Sequence, residues 1–510
     1  MYEYKKTYFK ELYLICMNYL KRVAGHTLIY GLSSVVPRLL NYFLVFLHTR
    51  VFLQEDYGIV TELYAYLAIL LVLLTYGMET GLFRFSGKDQ NPEETYSTAF
   101  FSLLTSSALF ILFISLFSGS ISSLMGYAGR SDYIILLAAI IGLDAFSAIP
   151  YAKLRLLNRP YTFAMIKIVG VLLMIFFNIF FLLICPKFPF FESIGIYNPE
   201  LGVAYIFISN LIGTLFTTVF VLFIPGLLPS TFSFSKLKTL LVYSFPLLIS
   251  GIGGSSNEFF DRIFYKYLAS ADVNALYELG IYGANVKLAV LMTLFIQMYR
   301  YAVEPFIFSN VGDKNSPQMY ANLTKYFLAF GLLIFLGVGL FTEIFQVLIG
   351  RDFREGIGVV PILLLSNLFF GLYFNVSIWY KITNQTWYGI LYTFSGAVIT
   401  MILYFILIPI IGYYGAALSK LICYIIITIL CFLGGQKRYP IPYETKKFIL
   451  FILTAISLFL LGYFIVIPIY LLSFIFRIAL ISVFILLIMK TEDISIKNLI
   501  NGFRHASKNS

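Results

Sequence analysis

Apolar runs close to twenty residues long, separated by short polar links, recur from one end of the chain to the other. Each run is long enough to cross a hydrocarbon core of ~30 Å as a helix. The alternating pattern of outer-membrane barrel strands is absent. Fourteen such runs can be counted, the first over 26–49, the seventh and eighth over 239–266 and 276–299, and the last two over 448–468 and 469–489. From Phe448 to Met489 the only charge is Arg477. A single helix there would be roughly 63 Å long at about 1.5 Å per residue, so the chain must turn, and Pro468 supplies the place. The pattern predicts an all-α integral membrane protein with no extramembrane domain.

Within this pattern, Ser244–Lys287 stands out because charges interrupt runs that are otherwise as apolar as any span. Glu258, Asp261, Arg262, Glu278 and Lys287 all fall there. A charge at the bilayer centre costs roughly 3 kcal/mol on insertion scales, so such residues face a bundle interior or a wet cavity. On a helix, Glu258 lies four residues before Arg262 and three before Asp261, and all three share one side. Counting back from Asp261 meets Asn257, Gly254 and Ser250; counting back from Arg262 meets Glu258, Ser255 and Gly251. This broad small-polar face reads as the lining of a transport cavity. Lys287 shares its side with Gly280 and Gly283, which would permit close helix approach.

Composition agrees: 60% of the 510 residues are hydrophobic and 12% charged, against about 25% charged in ordinary domains. The mean hydropathy is +0.88. The net charge of +11 reflects where the cations lie, and nucleic acid is not needed to explain it. With an even span count and both termini placed in the cytoplasm, inside segments hold 25 Lys and Arg, outside segments six, and spans five. That asymmetry follows the positive-inside rule. The first 22 residues mix lysines with aromatics and read as a short interfacial helix. The four cysteines have no paired or metal-type spacing, and there is no Walker loop, HExxH or GxSxG element. No metal or other cofactor is expected, beyond coupling to a gradient of H+ or Na+.

The chain also repeats itself. RLLNRPYTFAMIKIVG aligns with KITNQTWYGILYTFSG at a single offset of 226, setting Arg155 on Lys381, Asn158 on Asn384 and Gly170 on Gly396. Six spans per repeat is an even number, so the halves would be parallel, with the binding site near the midplane. In the first span Ser34, Arg38, Asn41 and His48 share a face beside Pro37. Arg38 lies too far from either end to snorkel and reads as an anion-binding cation, the alternative being a packing arginine neutralised by a carboxylate. Glu79 and Arg84 close the second span, where Arg84 serves either as a positive-inside anchor or as a contact to a headgroup phosphate. Glu62 and Asp144 are candidate ion-coupling carboxylates, while Lys420 and Arg477 are intramembrane cations with no evident partner.

These residues carry a resemblance. LSSVVPRLLNYFLVFLHTRVF, then DYGIVTELYAYLAILLVLLTYGMETGLFRF, the Asp261-Arg262 pair followed by IYGANVKLA, and the Asn158 and Asn384 links together resemble polysaccharide flippases. These are the O-antigen and capsule type of the multidrug/oligosaccharidyl-lipid/polysaccharide exporter superfamily. The resemblance implies two six-helix lobes around a V-shaped central cavity and two C-terminal helices, in a bacterial inner membrane. On this chain the parts would be an interfacial segment over 1–25, lobes over 26–230 and 231–436, further helices over 437–490 and a cytoplasmic tail over 491–510. It also implies alternating-access transport of undecaprenyl-diphosphate-linked oligosaccharide for lipopolysaccharide or capsule export, in company with membrane lipids and a polysaccharide polymerase machinery. Lipid II flippases of the same superfamily carry a first-span arginine in the cavity, and Arg38 occupies the matching place, although its Pro-Arg-Leu-Leu-Asn context departs from theirs.

The residues fit that chemistry. Arginine binds phosphate bidentately, so Arg38, Arg262, Lys287 and Arg84 are the expected diphosphate ligands. Ser34, Asn41, Glu258 and Asp261 would be their polar and charge-compensating neighbours. A cation-coupled drug antiporter of the same superfamily would use acidic cavity residues instead. A membrane polymerase or glycosyltransferase would show a large external loop, and none is present.

Overall fold

The structure, a computed structural model, describes residues 36–37, 39–86, 91–229, 231–309, 313 and 315–492. Ser34, Arg38 and the N-terminal and C-terminal segments therefore lie outside the described residues. Among those described there is no strand. Eleven helices among the described residues are long and apolar enough to cross a membrane, or twelve when Ala275–Leu288 and Val290–Tyr301 count as one broken span. Packing divides the chain into two compact units, one running to Tyr267 and including Ala271–Gly283, the other made of Leu268–Ser270 and the chain from Ala284 onward.

The first unit holds α1 (Leu39–Val51), α2 (Gln54–Thr75), α3 (Met78–Ser86), α4 (Pro92–Leu116), α5 (Ser118–Leu124), α6 (Ser131–Leu156), α7 (Pro160–Ile179), α8 (Ala204–Leu222), nearly all of α9 (Phe234–Leu268) and the first part of α10 (Ala275–Leu288). Its hub is α6, which packs on α2, α4 and α8. Ile140, Ile149, Ala152 and Leu154 on it are wholly buried, as expected of a helix apolar nearly all round. Local chemistry starts the helices: Pro92 and Pro160 stand at first helical positions, and the Asn91 side chain accepts the Glu94 N–H. Between α2 and α3 the chain bends at Tyr76 and Gly77, both with positive φ (34° and 70°). Gly77 is also tight against α9, because a Cβ there would lie 3.1 Å from the Ser244 carbonyl oxygen.

Small residues set the distance between α2 and α10. A Cβ at Gly280 would collide with the Gln54 carbonyl, one at Gly283 with the Thr61 side chain, and one at Gly58 with the Leu276 carbonyl. Backbones touch here, so any larger residue would force the helices apart.

The second unit holds the end of α10, α11 (Val290–Ser309), α12 (Ser316–Leu340), α13 (Val359–Val376), α14 (Trp387–Arg438), α15 (Thr445–Phe464) and α16 (Tyr470–Thr491). As one rod the 52 residues of α14 would run about 78 Å, far beyond a bilayer. Ile411 and Gly412 are non-helical, with Gly412 at φ 56° just after Pro409. Beyond that break the limbs fold back on each other: a Cβ at Gly415 would strike the Leu407 carbonyl, and Cys423 Sγ lies 3.3 Å from the Gly396 carbonyl. The apolar run 448–489 likewise divides into α15 and α16 at a turn containing Pro468. Charges tie α16 to the rest of this unit. Lys325 on α12 lies 2.5 Å from both Glu444 and Glu492, and Lys447 lies 2.6 and 2.8 Å from the same two carboxylates. Farther along α16, Arg477 makes a two-pronged pair with Glu343 at 2.9 and 3.0 Å.

The internal repeat is visible in backbone detail. Asn158 and Asn384 both take positive φ, at 52° and 58°. The amides of 157, 158 and 159 bond the carbonyls of 153, 155 and 154, and the amides of 383, 384 and 385 bond those of 379, 381 and 380. The same helix ending, with asparagine in its left-handed position, thus occurs twice at the offset of 226.

Candidate functional site

Three residues from α9 and α10 in the first unit form a buried polar contact. The side chain of Asp261 is fully buried, and its Oδ2 accepts a hydrogen bond of 2.6 Å from the Tyr282 hydroxyl. Next to it on α9, Arg262 has a side chain only 14% exposed, its Nε stands 4.0 Å from Asp261 Oδ1, and that Nε makes no hydrogen bond. The guanidinium lies over the Phe259 ring at 5.3 Å. Adjacent residues on a helix point about 100° apart, so Asp261 neutralises Arg262 without clamping it. Arg262 therefore retains hydrogen-bonding capacity while shielded from bulk water. On the same helix Ser256 and Asn257 are buried, whereas Gly254 and Glu258 are exposed.

The other anticipated residues are distributed differently. Asn41 is exposed on α1, while His48 is buried and its Nε2 lies 2.8 Å from Asn178 Oδ1. Arg84 is exposed, and Glu79 pairs with Arg155, whose guanidinium also lies over Phe83 at 4.8 Å. Asp144, half-buried on α6, accepts a hydrogen bond from Thr214 and feels the charge of Lys167 on α7. Lys287 is exposed and belongs to the second unit.

Glu62 on α2 is fully buried. It accepts a hydrogen bond from Tyr127, and Lys266 Nζ lies 3.3 Å from its Oε2. Lys266 also donates to the Met125 carbonyl and sits 4.0 Å over the Tyr127 ring. Nearby, Tyr265 bonds Glu278 and Asn274 bonds Glu55. This cluster pins the end of α9 and the start of α10 to α2 and to the link before α6. In the sequence Lys266 looks like a link cation, and Tyr127 and Tyr282 are two of 39 tyrosines, so no spacing signal marks them. Among the described residues no group of three or more His, Cys, Asp or Glu could hold a metal ion.

A family model described as "Polysaccharide biosynthesis protein" matches residues 47–355. Among solved structures, a lipid II flippase, MurJ, in an inward closed conformation superposes with a TM-score of 0.70 at 14% identity, covering 91% of this chain and 99% of that one. An inward-facing multidrug resistance MATE family transporter of the MOP superfamily superposes with a TM-score of 0.64 at 14% identity, over 81% of this chain and 98% of that one. At these identities the likeness is one of fold. No curated protein sequence matches.

Proposed function

The chain belongs to the polysaccharide biosynthesis protein family, and from that premise we propose that it is a transporter, and not an enzyme, that flips undecaprenyl-diphosphate-linked oligosaccharide across the bacterial inner membrane. Its fold is that of a multi-pass helical membrane protein similar to a lipid II flippase and a multidrug transporter. In this reading fourteen spans form two six-helix lobes plus two C-terminal helices, both termini are cytoplasmic, and access alternates between the two faces. The glycan would then pass to a polysaccharide polymerase machinery.

One observation carries the proposal. Arg262 is a largely buried guanidinium whose nearest carboxylate stands 4.0 Å away and is already engaged by Tyr282. A diphosphate leaving water needs cations that replace its hydration, and a planar guanidinium with donors to spare does so bidentately. Arg38, Lys287 and Arg84 complete the proposed ligand set, with Asp261, Glu258, Asn41 and Ser34 around it. The lipid tail would stay in the bilayer while the sugar crosses. Coupling to H+ or Na+ through Glu62, Glu79 or Asp144 belongs to the same proposal.

The test is reconstitution in liposomes with a fluorescent undecaprenyl-diphosphate oligosaccharide in one leaflet, followed by an impermeant quencher or a glycosidase. Wild type should move the lipid. Arg262→Ala and Arg38→Ala should each abolish movement while inserting normally. Undiminished movement in both variants would overturn the diphosphate assignment. No movement in wild type beside a working control would turn attention to cation efflux, and chemical change of the glycan to an enzyme.

A further inference from the structure

The repeat invites a comparison between two equivalent places, one in each unit. In the first unit Arg155 ends its helix against an aromatic ring, Phe83, and is neutralised by a close ion pair with Glu79. At the offset of 226 the second unit has Lys381, again against an aromatic ring: its Nζ lies 4.0 Å from the centre of Phe374. Here a second cation is present. The Arg300 guanidinium lies over the same ring at 4.3 Å. The one carboxylate in the group, Glu304, stands 3.8 Å from Arg300, one turn away on the same helix. Among the described residues Lys381 has no hydrogen bond and no ion pair.

Two cations drawn to one ring repel each other, and a single loosely placed carboxylate leaves the group with one positive charge in excess. Arg300 and Glu304 are 40% and 38% exposed at their side chains, while Phe374 is buried, so the group opens outward from an apolar floor. It lies at the end of the second unit that the charge count assigns to the cytoplasm, the depth of inner-leaflet headgroups. A phosphate ester has the chemistry for this group: oxygens that accept from a guanidinium fork and from an ammonium, and a charge that cancels the excess.

We propose that Arg300 and Lys381, held against Phe374, form a phosphate-binding site for a lipid headgroup at the inner face of the second unit, with Glu304 as the carboxylate that the phosphate displaces. The phosphate has two sources, the diphosphate of a lipid-linked glycan before translocation or the headgroup of an anionic phospholipid. The first rests on the function proposed above; the second does not.

Native mass spectrometry of the full-length protein, titrated with undecaprenyl diphosphate, phosphatidylglycerol or zwitterionic phosphatidylcholine, tests this. Arg300→Gln and Lys381→Gln should each weaken binding of the two anionic lipids by about tenfold and leave phosphatidylcholine, whose choline cancels its phosphate charge, unaffected. Glu304→Gln should strengthen binding, a change of sign that a merely structural carboxylate would not produce. Lys381→Arg should retain affinity and shows that a folded protein is being compared. Weakening for undecaprenyl diphosphate alone assigns the site to the transported lipid; weakening for phosphatidylglycerol as well assigns it to anionic inner-leaflet lipids in general. Unchanged affinity of both Gln variants for both anionic lipids would overturn the site. A protein that binds here but fails to translocate the glycan lipid would overturn the proposed function and leave this site standing.

Discussion

Asp261 and Arg262 differ sharply in how they are held, although they are neighbours. Tyr282 donates to Asp261 at 2.6 Å in a fully buried setting, and that bond keeps the carboxylate from turning wholly to Arg262. Removing a partner from a buried acceptor costs about 1–3 kcal/mol. The aspartate in a Tyr282→Phe variant should recover part of that by closing on Arg262. Glycan-lipid transport should then fall by about tenfold with the arginine still present, as a liposome assay of initial rates would report. An unaltered rate would mean that the tyrosine only packs. Glu62, a fully buried glutamate, is tolerated because Tyr127 and Lys266 both reach it.

Elements meet through side chains too small to see in a hydropathy pattern. Gly280 and Gly283 bring α10 onto α2, and any Cβ there would overlap the Gln54 carbonyl or the Thr61 side chain. Gly280→Val should therefore destabilise the protein by about 3 kcal/mol, the upper part of the range for overpacking. Gly254→Ala on α9, where a Cβ would meet nothing within 4 Å, should be neutral or stabilising by up to about 1 kcal/mol. Thermal denaturation in detergent micelles separates the two, and equal midpoints would refute the close approach. The α14 hairpin makes the same point with backbone conformation: Gly412 at φ 56° lets the chain reverse where a β-branched residue would be strained.

For the whole molecule, ion pairs that reach across elements in the second unit create a dependence on pH. Glu444 is held below the ordinary glutamate range by hydrogen bonds from Lys325 and Lys447, and Glu343 by hydrogen bonds from Arg477. Both lie in links outside the spans. A carboxylate with a depressed folded-state pKa contributes stability that is present above its unfolded value, near 4.5, and is lost as pH falls through the folded value. The melting midpoint of the purified protein should thus hold steady from neutral pH down to about 5 and fall steadily below it. In the double variant Glu343→Gln and Glu444→Gln the midpoint at neutral pH should be lower and the acid slope shallower. Matching slopes would show that these pairs do not couple the stability of the second unit to protonation.

Run length and periodicity by themselves determined that this chain is a helical, multi-pass membrane protein. Backbone groups in lipid can be satisfied only within a helix or a closed barrel, so a run of twenty apolar residues has few alternatives. The same reasoning located the turn at Pro468, since that run could not span as one rod. The repeat was legible because a left-handed helix ending selects asparagine, which left Asn158 and Asn384 in register. What the sequence could not express was partnership. Arg477 looked solitary until Glu343, 134 residues away, came into contact, and Lys266 looked like a link cation until Glu62 was found beneath it. Which of two adjacent charges is bonded and which is left with donors to spare, as at Asp261 and Arg262, depends on a tyrosine from another helix. Charge pairing is short in range and indifferent to distance along the chain, so only the tertiary structure decides it.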